Sequence, residues 1–519
     1  MSLRTALTRP ARYGALVAGA LPVLTFPGAG LAALAWVALV PGLLLMRAAG
    51  TAREAAVRGW WFGAGFILTA MYWLIPSIGP ALPLLAVVFG VLQAPVGLAV
   101  WWLLHGELTL RRSAAALVVV PAVWVSAEFA RSWHALGGPW ALLGASQWEH
   151  PAVLGLASVG GVWLVSWALV TVNTALTLLV LAREVRLRAL AAATALVAVV
   201  SGPVAFAAQP APATRGSASV ALVQAGQTTD ERARLEANVR ITRSLAGRPV
   251  DLVVWGESST TADLDRDGAT LDRLTALSQS TGAQLLVGED ARKADGRISK
   301  DAVLVDSSGI AARYRKIRLV PFGEYIPLRP LLGWIAGVSS AAGENRAPGR
   351  SVHLLPVVGQ GGRPLPVGAL ICFESAFPDM SRTASRQGAE LIVYQSATST
   401  FQSTWAPAQH ASLGAIRAAE TGRPVVQAAL TGESVAYDAQ GRRLARLTTA
   451  ESGAVTVHLS PADPTARTWY VRLGDWVPLS ALAVTAAAGA AGLLPRLRER
   501  RRPSAPAAPP SSDLPSARV

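Results

Sequence analysis

One cysteine, one lysine and one glutamate are the residues of this chain best suited to covalent chemistry. Cys372 ends an apolar run, Ala369-Leu370-Ile371-Cys372, and is followed by Phe373-Glu374-Ser375. A strand end displays its last side chain, and a thiolate there is a nucleophile; a cysteine in such a run can equally pack as a small inert hydrophobe. Lys316 lies within Arg313-Tyr314-Arg315-Lys316-Ile317-Arg318. The chain uses arginine almost everywhere it needs a cation, its only lysines being Lys293, Lys300 and Lys316. A lysine among three arginines suggests a place that wants a compact ammonium, which can stabilise a thiolate or a tetrahedral oxyanion. The alternative is a solvated surface lysine. Glu257 follows the strand-like Asp251-Leu252-Val253-Val254-Trp255 and Gly256. A carboxylate there can take the thiol proton and later protonate a leaving group, or it can be an ordinary loop glutamate.

All three residues fall between about 217 and 465, where charge rises and short β-rich runs alternate with helix-like stretches. Residues 219–225, 251–255, 284–288, 302–306, 367–373, 391–395 and 425–430 read as buried strands. Residues 231–245, 269–280, 378–386 and 408–420 read as helices. The alternation predicts an α/β domain with helices covering its sheets. A Pro- and Ala-rich linker over 209–216 separates it from what precedes it, and the tail after Pro503 is low-complexity and expected to be disordered.

The flanks are of a different kind. Hydrophobic residues make up 52% of the 519-residue chain and charged residues only 15%, where a soluble enzyme has about 25% charged. Seven apolar runs of roughly membrane-spanning length precede residue 210, near 13–28, 29–47, 58–78, 81–104, 114–131, 157–182 and 188–208. The first two are interrupted by Pro22, Pro27 and Gly30. An eighth lies near 477–495. The first run reads as a retained helix rather than a cleaved leader, because further spans follow at once. The predicted organisation is a seven-span domain over 1–209, a catalytic domain over 217–465, a last span over 477–495 and a basic, then disordered, tail over 496–519.

Arginine clusters (Arg4, Arg9 and Arg12; Arg47, Arg53 and Arg58; Arg111 and Arg112; Arg183, Arg186 and Arg188; Arg496 to Arg502) alternate with segments nearly free of positive charge. By the positive-inside rule every cluster is cytoplasmic, so seven spans deliver the α/β domain to the outer side. This placement reads the net charge of +15 as membrane orientation, not as a nucleic-acid face. Glu128 and Arg131, i,i+3 on one span, read as a mutual structural pair. One cysteine permits no intrachain disulfide, and six scattered histidines give no metal-ligand spacing, so neither metal nor cofactor is expected.

Taken together, Trp255-Gly256-Glu257, Tyr314-Arg315-Lys316 leading to Leu319-Val320-Pro321-Phe322-Gly323-Glu324-Tyr325-Ile326-Pro327, and Ile371-Cys372-Phe373-Glu374 resemble the Glu-Lys-Cys signature of the nitrilase, or carbon-nitrogen hydrolase, superfamily. The block from Lys316 to Pro327 resembles its membrane-bound branch, the apolipoprotein N-acyltransferases. Gly63-Ala64-Gly65-Phe66 with Tyr72-Trp73, Glu128 and Arg131, Gly138-Pro139-Trp140, and Gly144-Ala145-Ser146-Gln147 are similar to that branch's membrane part. The chain departs from it at Gly256 (often Pro or Ser), Phe373 (Tyr), Ala397-Thr398-Ser399-Thr400-Phe401 (Asn-Asp-x-Trp-Phe) and Leu430 (Asn), while Pro407, Gln409 and His410 match again.

The resemblance implies an αββα sandwich on a multi-pass helical domain in a bacterial cell membrane. It implies Glu257, Lys316 and Cys372 as the catalytic triad, with Glu324 and Glu374 in support and the Phe373 N–H as an oxyanion donor. The implied reaction moves a fatty acyl group from a phospholipid, through a Cys372 thioester, to the α-amine of the diacylglyceryl-cysteine of an apolipoprotein. A membrane-anchored amidase that uses water as acceptor would need the same triad, and a transporter with an inert outer domain is a more distant rival. The apolar stretch 328–338 (LRPLLGWIAGV) is expected to form an arm dipping into the outer leaflet, or else a short helix packed on the sheet.

Overall fold

Prolines and glycines decide where the first apolar runs break. The structure, a computed structural model, describes residues 3–209, 213–326, 329–332 and 346–500. Helix α1 (Leu3–Ala20) stops just before Leu21-Pro22, and 3-10 turns over Leu21–Thr25 and Ala32–Trp36 lead to the short α2 (Val40–Arg47). Proline disfavours helix in the residue before it and lacks the N–H that would continue the ladder. Helix α3 (Ala52–Ala70) begins at Thr51, whose hydroxyl accepts from the Glu54 N–H. It continues after a 56° bend towards α4 (Ile75–Ile78). Helices α5 (Ala81–Gly90) and α6 (Ala94–Leu104) form one rod, followed by α7 (Leu110–Arg131), α8 (Pro151–Leu181) and α9 (Val185–Ala207).

Four rods are long and apolar enough to cross a membrane: 81–104, α7, α8 and α9. The bent pair 52–78 would be a fifth. Residues 32–47 and 476–492 are apolar but shorter. The protein is thus a multi-pass membrane protein with about four apolar spans in its N-terminal part. The helices approach closely through small residues: a methyl on Gly65 would lie 2.0 Å from the Leu16 carbonyl oxygen, and one on Gly97 would lie 2.1 Å from that of Ala55.

The remainder is a sandwich of two six-stranded sheets. In the first, β1 (Ala218–Gln224), β2 (Leu252–Trp255) and β3 (Gln284–Arg292) run parallel. Strands β4 (Ile298–Asp306) and β5 (Gly309–Arg315) follow antiparallel at one edge. In the second, β6 (Leu355–Val358) is antiparallel to β7 (Pro364–Ile371), and β7, β8 (Leu391–Ser396) and β9 (Val425–Ala429) are parallel. The hairpin β10 (Ser434–Tyr437) and β11 (Arg443–Leu447) closes that sheet, and β12 (Gly453–Leu459) returns to pair with β1.

The two-residue period of a strand sorts the core. Val220, Leu222, Leu252 and Val254 face the second sheet and share a cluster with Leu355, Val367 and Ile392. Their neighbours Ala221, Val223, Val253 and Trp255 pack with Val239 of α10 (Glu231–Arg243) and Leu274 of α11 (Gly268–Thr281) on the other side. The short α12 (Arg329–Leu332) follows β5. Helices α13 (Pro378–Gln387) and α14 (Ala406–Thr421) cover the second sheet, completing the αββα order. The chain then passes through α15 (Trp469–Leu473) to α16 (Trp476–Arg500), which packs on α7. The arm expected over 328–338 lies mostly outside the described residues, as does the tail after Pro503.

Domain and membrane region are joined by specific bonds. Helix α8 breaks at Gly160 and Gly161, where φ is +69° at Gly161. The freed Val162 N–H donates to the buried Glu420 carboxylate of α14 at 2.8 Å, so the sandwich caps a membrane helix.

Candidate active site

Strand direction explains how three distant residues converge. β2 and β5 both end at one edge of the first sheet, and β7 ends at the facing edge of the second. Glu257, Lys316 and Cys372 each lie one or two residues past such an end. Lys316 Nζ donates to Glu257 Oε1 at 2.9 Å and to Glu324 Oε1 at 2.8 Å. The Cys372 thiol lies beside the Glu257 carboxylate, close enough for each to shift the other's protonation. All four side chains are buried or nearly so.

The backbone around them is strained. Among the described residues, four non-glycine positions have left-handed φ: Cys372 (52°), Ser258 (56°), Phe322 (59°) and Ala141 (52°). Cys372 is the nucleophile candidate, Ser258 follows Glu257, Phe322 lies in the turn that carries Glu324, and Ala141 belongs to the membrane-side loop over the site. Strain of this kind persists where surrounding structure holds a side chain in one orientation.

Glu374 and Glu324 do different work. Glu374 touches no reacting group. It accepts from the N–H groups of Ile317 (2.7 Å), Arg318 (3.0 Å) and Ile371 (2.7 Å), and from the Tyr314 hydroxyl. It thereby ties the end of β5, where Lys316 emerges, to the end of β7, where Cys372 emerges. Glu324 accepts from Lys316 and, through its other oxygen, from the Val320 N–H at 2.8 Å. The Phe373 ring packs edge-on against Phe377, next to Gly138 of the membrane region.

Sequence reasoning passed over Lys300. Its ammonium lies 3.4 Å from Glu257 Oε1 and 3.9 Å from Glu324, and donates to Ser258 Oγ (2.8 Å) and Asp290 (2.9 Å). Arg346 pairs with Asp290 at 3.0 Å. The signal was available, because the rarity of lysine that singled out Lys316 applies equally to Lys300. Two other groups were missed. The Ala397 N–H lies beside the Cys372 thiol and lowers its pKa, and His410 lies 3.1 Å from Ser375 Oγ.

These charges set the protonation states. Burial disfavours the Glu257 carboxylate, but Lys300 and Lys316 outweigh it and hold its pKa well below the usual carboxylate range. Burial also opposes charge on Lys316, yet Glu257 and Glu324 raise its pKa well above the ordinary lysine value. The Cys372 thiol is pushed up to about 12, first by burial and then by Glu257. Burial pushes His410 down to about 4, so it is neutral. The resting site is a thiol, a carboxylate and two ammoniums.

The membrane region supplies the wall beside the thiol. The Trp140 ring stacks on His410 at 6.1 Å, and its indole N–H donates to Gln409 at 3.1 Å. Trp73 packs against both Trp140 and Phe401, and Tyr72 accepts from the Trp405 N–H at 2.9 Å. Glu128 and Arg131 do not pair with each other as expected. Arg131 donates to the carbonyls of Trp140 and Ala141, and Glu128 accepts from the Leu143 N–H (2.7 Å) and the Trp124 indole (3.0 Å). Backbone groups of the loop that the helix alone does not satisfy compete successfully for both charges. Among the described residues no cluster of His, Cys, Asp and Glu could hold a metal.

Comparison with known proteins agrees with this layout. The carbon-nitrogen hydrolase family matches residues 219–467, and the apolipoprotein N-acyltransferase N-terminal domain matches residues 18–175. Apolipoprotein N-acyltransferase of Geobacter metallireducens is 30% identical over 452 residues, covering 82% of this chain and 85% of the relative. The Azotobacter vinelandii protein of that name is 30% identical over 522 residues, covering 96% and 98%. That of Pseudomonas putida is 30% identical over 423 residues, covering 75% and 79%. With membrane helices packed over a thiol, a carboxylate and an ammonium at the rim of an αββα sandwich, this chain belongs to the apolipoprotein N-acyltransferase family of the nitrilase superfamily.

Proposed function

We propose that this protein transfers a fatty acyl group from a phospholipid to the α-amine of a diacylglyceryl-cysteine at the N-terminus of an apolipoprotein, by way of a thioester on Cys372. The observation that carries the reading is the convergence of the thiol and the Lys316 ammonium on one Glu257 carboxylate, beneath a wall contributed by the membrane helices.

In the first half-reaction Glu257 takes the thiol proton as sulfur attacks the ester carbonyl. A thiol with so high a pKa does not ionise in advance, so proton transfer accompanies attack. The oxyanion collapses in reach of Lys316 and the Phe373 N–H, with the Ala397 N–H beside the sulfur. The C–O bond to glycerol breaks, Glu257 returns its proton to that oxygen, and lysophospholipid leaves. In the second half-reaction Glu257 takes a proton from the neutral amine as nitrogen attacks the thioester. The C–S bond breaks and the sulfur recovers the proton, giving an amide and free Cys372.

A membrane setting suits both substrates. Each buried CH₂ is worth about 0.8 kcal/mol, so drawing a whole acyl chain into water would cost on the order of 10 kcal/mol. The alternation of arginine clusters supports eight spans with the sandwich on the outer side, the first two and the last being the short or broken apolar segments.

The test is intact-mass analysis of the purified protein after incubation with phospholipid. An acyl adduct that hydroxylamine removes and that Cys372→Ser cannot form as a thioester is expected. Added diacylated lipopeptide then discharges it to triacylated peptide. Release of free acid alone would mean an amidase, and no adduct at all would end the thioester scheme.

A further inference from the structure

A groove outside the catalytic region lies among the membrane helices. Helices α1 and α5 both pack on α3 and leave between them a groove of about 620 Å³, within the ~300–1,000 Å³ typical of ligand sites. Its mouth is formed by Arg12, Arg53 and Glu54, and its apolar length by Leu16, Trp61 and Val87. Apolar surface beside it is open to the outside, Val17 being 64% and Val88 55% exposed.

Position follows from α3. Tyr72, just past its C-terminal end, bonds to Trp405 of the catalytic domain. A helix rises ~1.5 Å per residue, so the 19 residues of α3 extend roughly 28 Å, close to the ~30 Å hydrocarbon thickness of a bilayer. Arg53 at the other end therefore stands at the membrane face distal to the catalytic domain.

Charge then selects the occupant. Glu54 is engaged by Arg12 (2.6 Å) and Arg58 (3.2 Å), and Arg58 also donates to the Leu45 carbonyl. Arg53 is exposed and has no ionic partner among the described residues. Two guanidiniums, Arg12 and Arg53, against the one carboxylate of Glu54 leave the mouth positive, above an apolar trough lined by Trp60 and Trp61. We infer that this groove is a binding site for an anionic phospholipid of the distal leaflet, its phosphate at Arg53 and Arg12 and one acyl chain along α3 between α1 and α5. A second copy of the chain lying parallel would bring its own arginine-rich helix ends to the same place and be repelled.

Full-length protein in bilayer nanodiscs, labelled with phosphatidylglycerol carrying a diazirine on its acyl chain, tests the assignment. Peptide mass spectrometry should place adducts within residues 12–16 and 51–64, several-fold more than with phosphatidylcholine of the same chains. An arginine near the membrane surface is worth about 1 kcal/mol towards anionic lipid, so Arg53→Gln should reduce labelling of the groove about fivefold. Val57→Trp, which enlarges a half-buried lining residue, should block the trough and abolish groove labelling, while labelling beside the catalytic domain persists in both variants. Equal labelling by the two lipids, or groove labelling unchanged by Arg53→Gln, overturns the assignment.

Discussion

Lys300 Nζ lies 3.4 Å from Glu257 Oε1, the same oxygen that accepts from Lys316 at 2.9 Å. One carboxylate oxygen therefore answers to two buried ammoniums, while the carboxylate also lies beside the Cys372 thiol. The arrangement keeps Glu257 ionised and Cys372 protonated at rest, the state that the proposed mechanism needs of its base. Asp290 and Glu324 balance the second cation, and Arg346 completes the set.

Lys300→Met should move the acid limb of the kcat/KM profile for acyl-thioester formation to higher pH. Lys300 lowers the Glu257 pKa, so its loss raises that pKa, and the base is then protonated at pH values where it is now free. The measurement is thioester yield against time between pH 4 and pH 9. Lys300→Arg should shift the limb less. An unmoved limb in Lys300→Met would make Lys300 a structural cation only.

Glu257→Gln should separate thiol reactivity from turnover. Loss of general-base catalysis costs about 10²–10⁴-fold, so acyl transfer should fall by that order. The Glu257 charge also raises the Cys372 pKa. Its removal leaves Lys316 beside the sulfur and increases the thiolate fraction, so alkylation by iodoacetamide near pH 8 should be faster than in the unaltered protein. Slower alkylation would show that Glu257 activates the thiol towards every electrophile.

Exchanging Glu128 and Arg131 tests whether they serve each other or the loop. A mutual ion pair would survive the double exchange Glu128→Arg with Arg131→Glu. Since each instead holds backbone of the segment Trp140 to Leu143, the double variant should be no better than either single one. All three should lose thioester formation, because Trp140 would no longer be held against His410 and Gln409. Recovery in the double variant would restore the paired reading.

Gly256→Ser should fail in this fold. A Cβ on Gly256 would lie 2.0 Å from the Leu430 backbone nitrogen and 2.7 Å from the Ala429 carbonyl carbon. The strand end would have to move, and Glu257 with it. Overpacking of this kind costs typically 1–3 kcal/mol. A lower Tm with activity reduced more than stability is expected, measured by thermal unfolding and thioester yield. The atoms met are backbone atoms of Ala429 and Leu430, so a smaller side chain at Leu430 should not rescue the variant.

The sequence alone determined much of the sandwich. Runs such as residues 391–395 and 425–430 are apolar but for Gln395 and Gln427 because strands β8 and β9 are buried on both faces, and burial of that kind is legible without a fold. Strand β5 was not. Its residues, Gly309-Ile310-Ala311-Ala312-Arg313-Tyr314-Arg315, form a sheet edge and are mostly half-buried, so they carry no apolar run, although this strand delivers Lys316. The rarity of lysine and the strand-end positions of Cys372 and Glu257 pointed to segments that the fold brings together, since the chemistry of a side chain is local information.

Tertiary structure alone decided what those side chains touch. Whether Glu128 binds Arg131 or a loop depends on which backbone groups other elements leave unsatisfied, and helical spacing cannot reveal that. Lys300 and Lys316 share an oxygen because neighbouring β4 and β5 bring them together across a sheet register, through the 2.9 Å bond from Lys316 N–H to the Lys300 carbonyl. The breaks at Pro22 and Pro27 were visible in the sequence, but the handing of the Val162 N–H to Glu420, 258 residues away, was not. A hydrogen bond is set by distance in space, and a sequence records only distance along the chain.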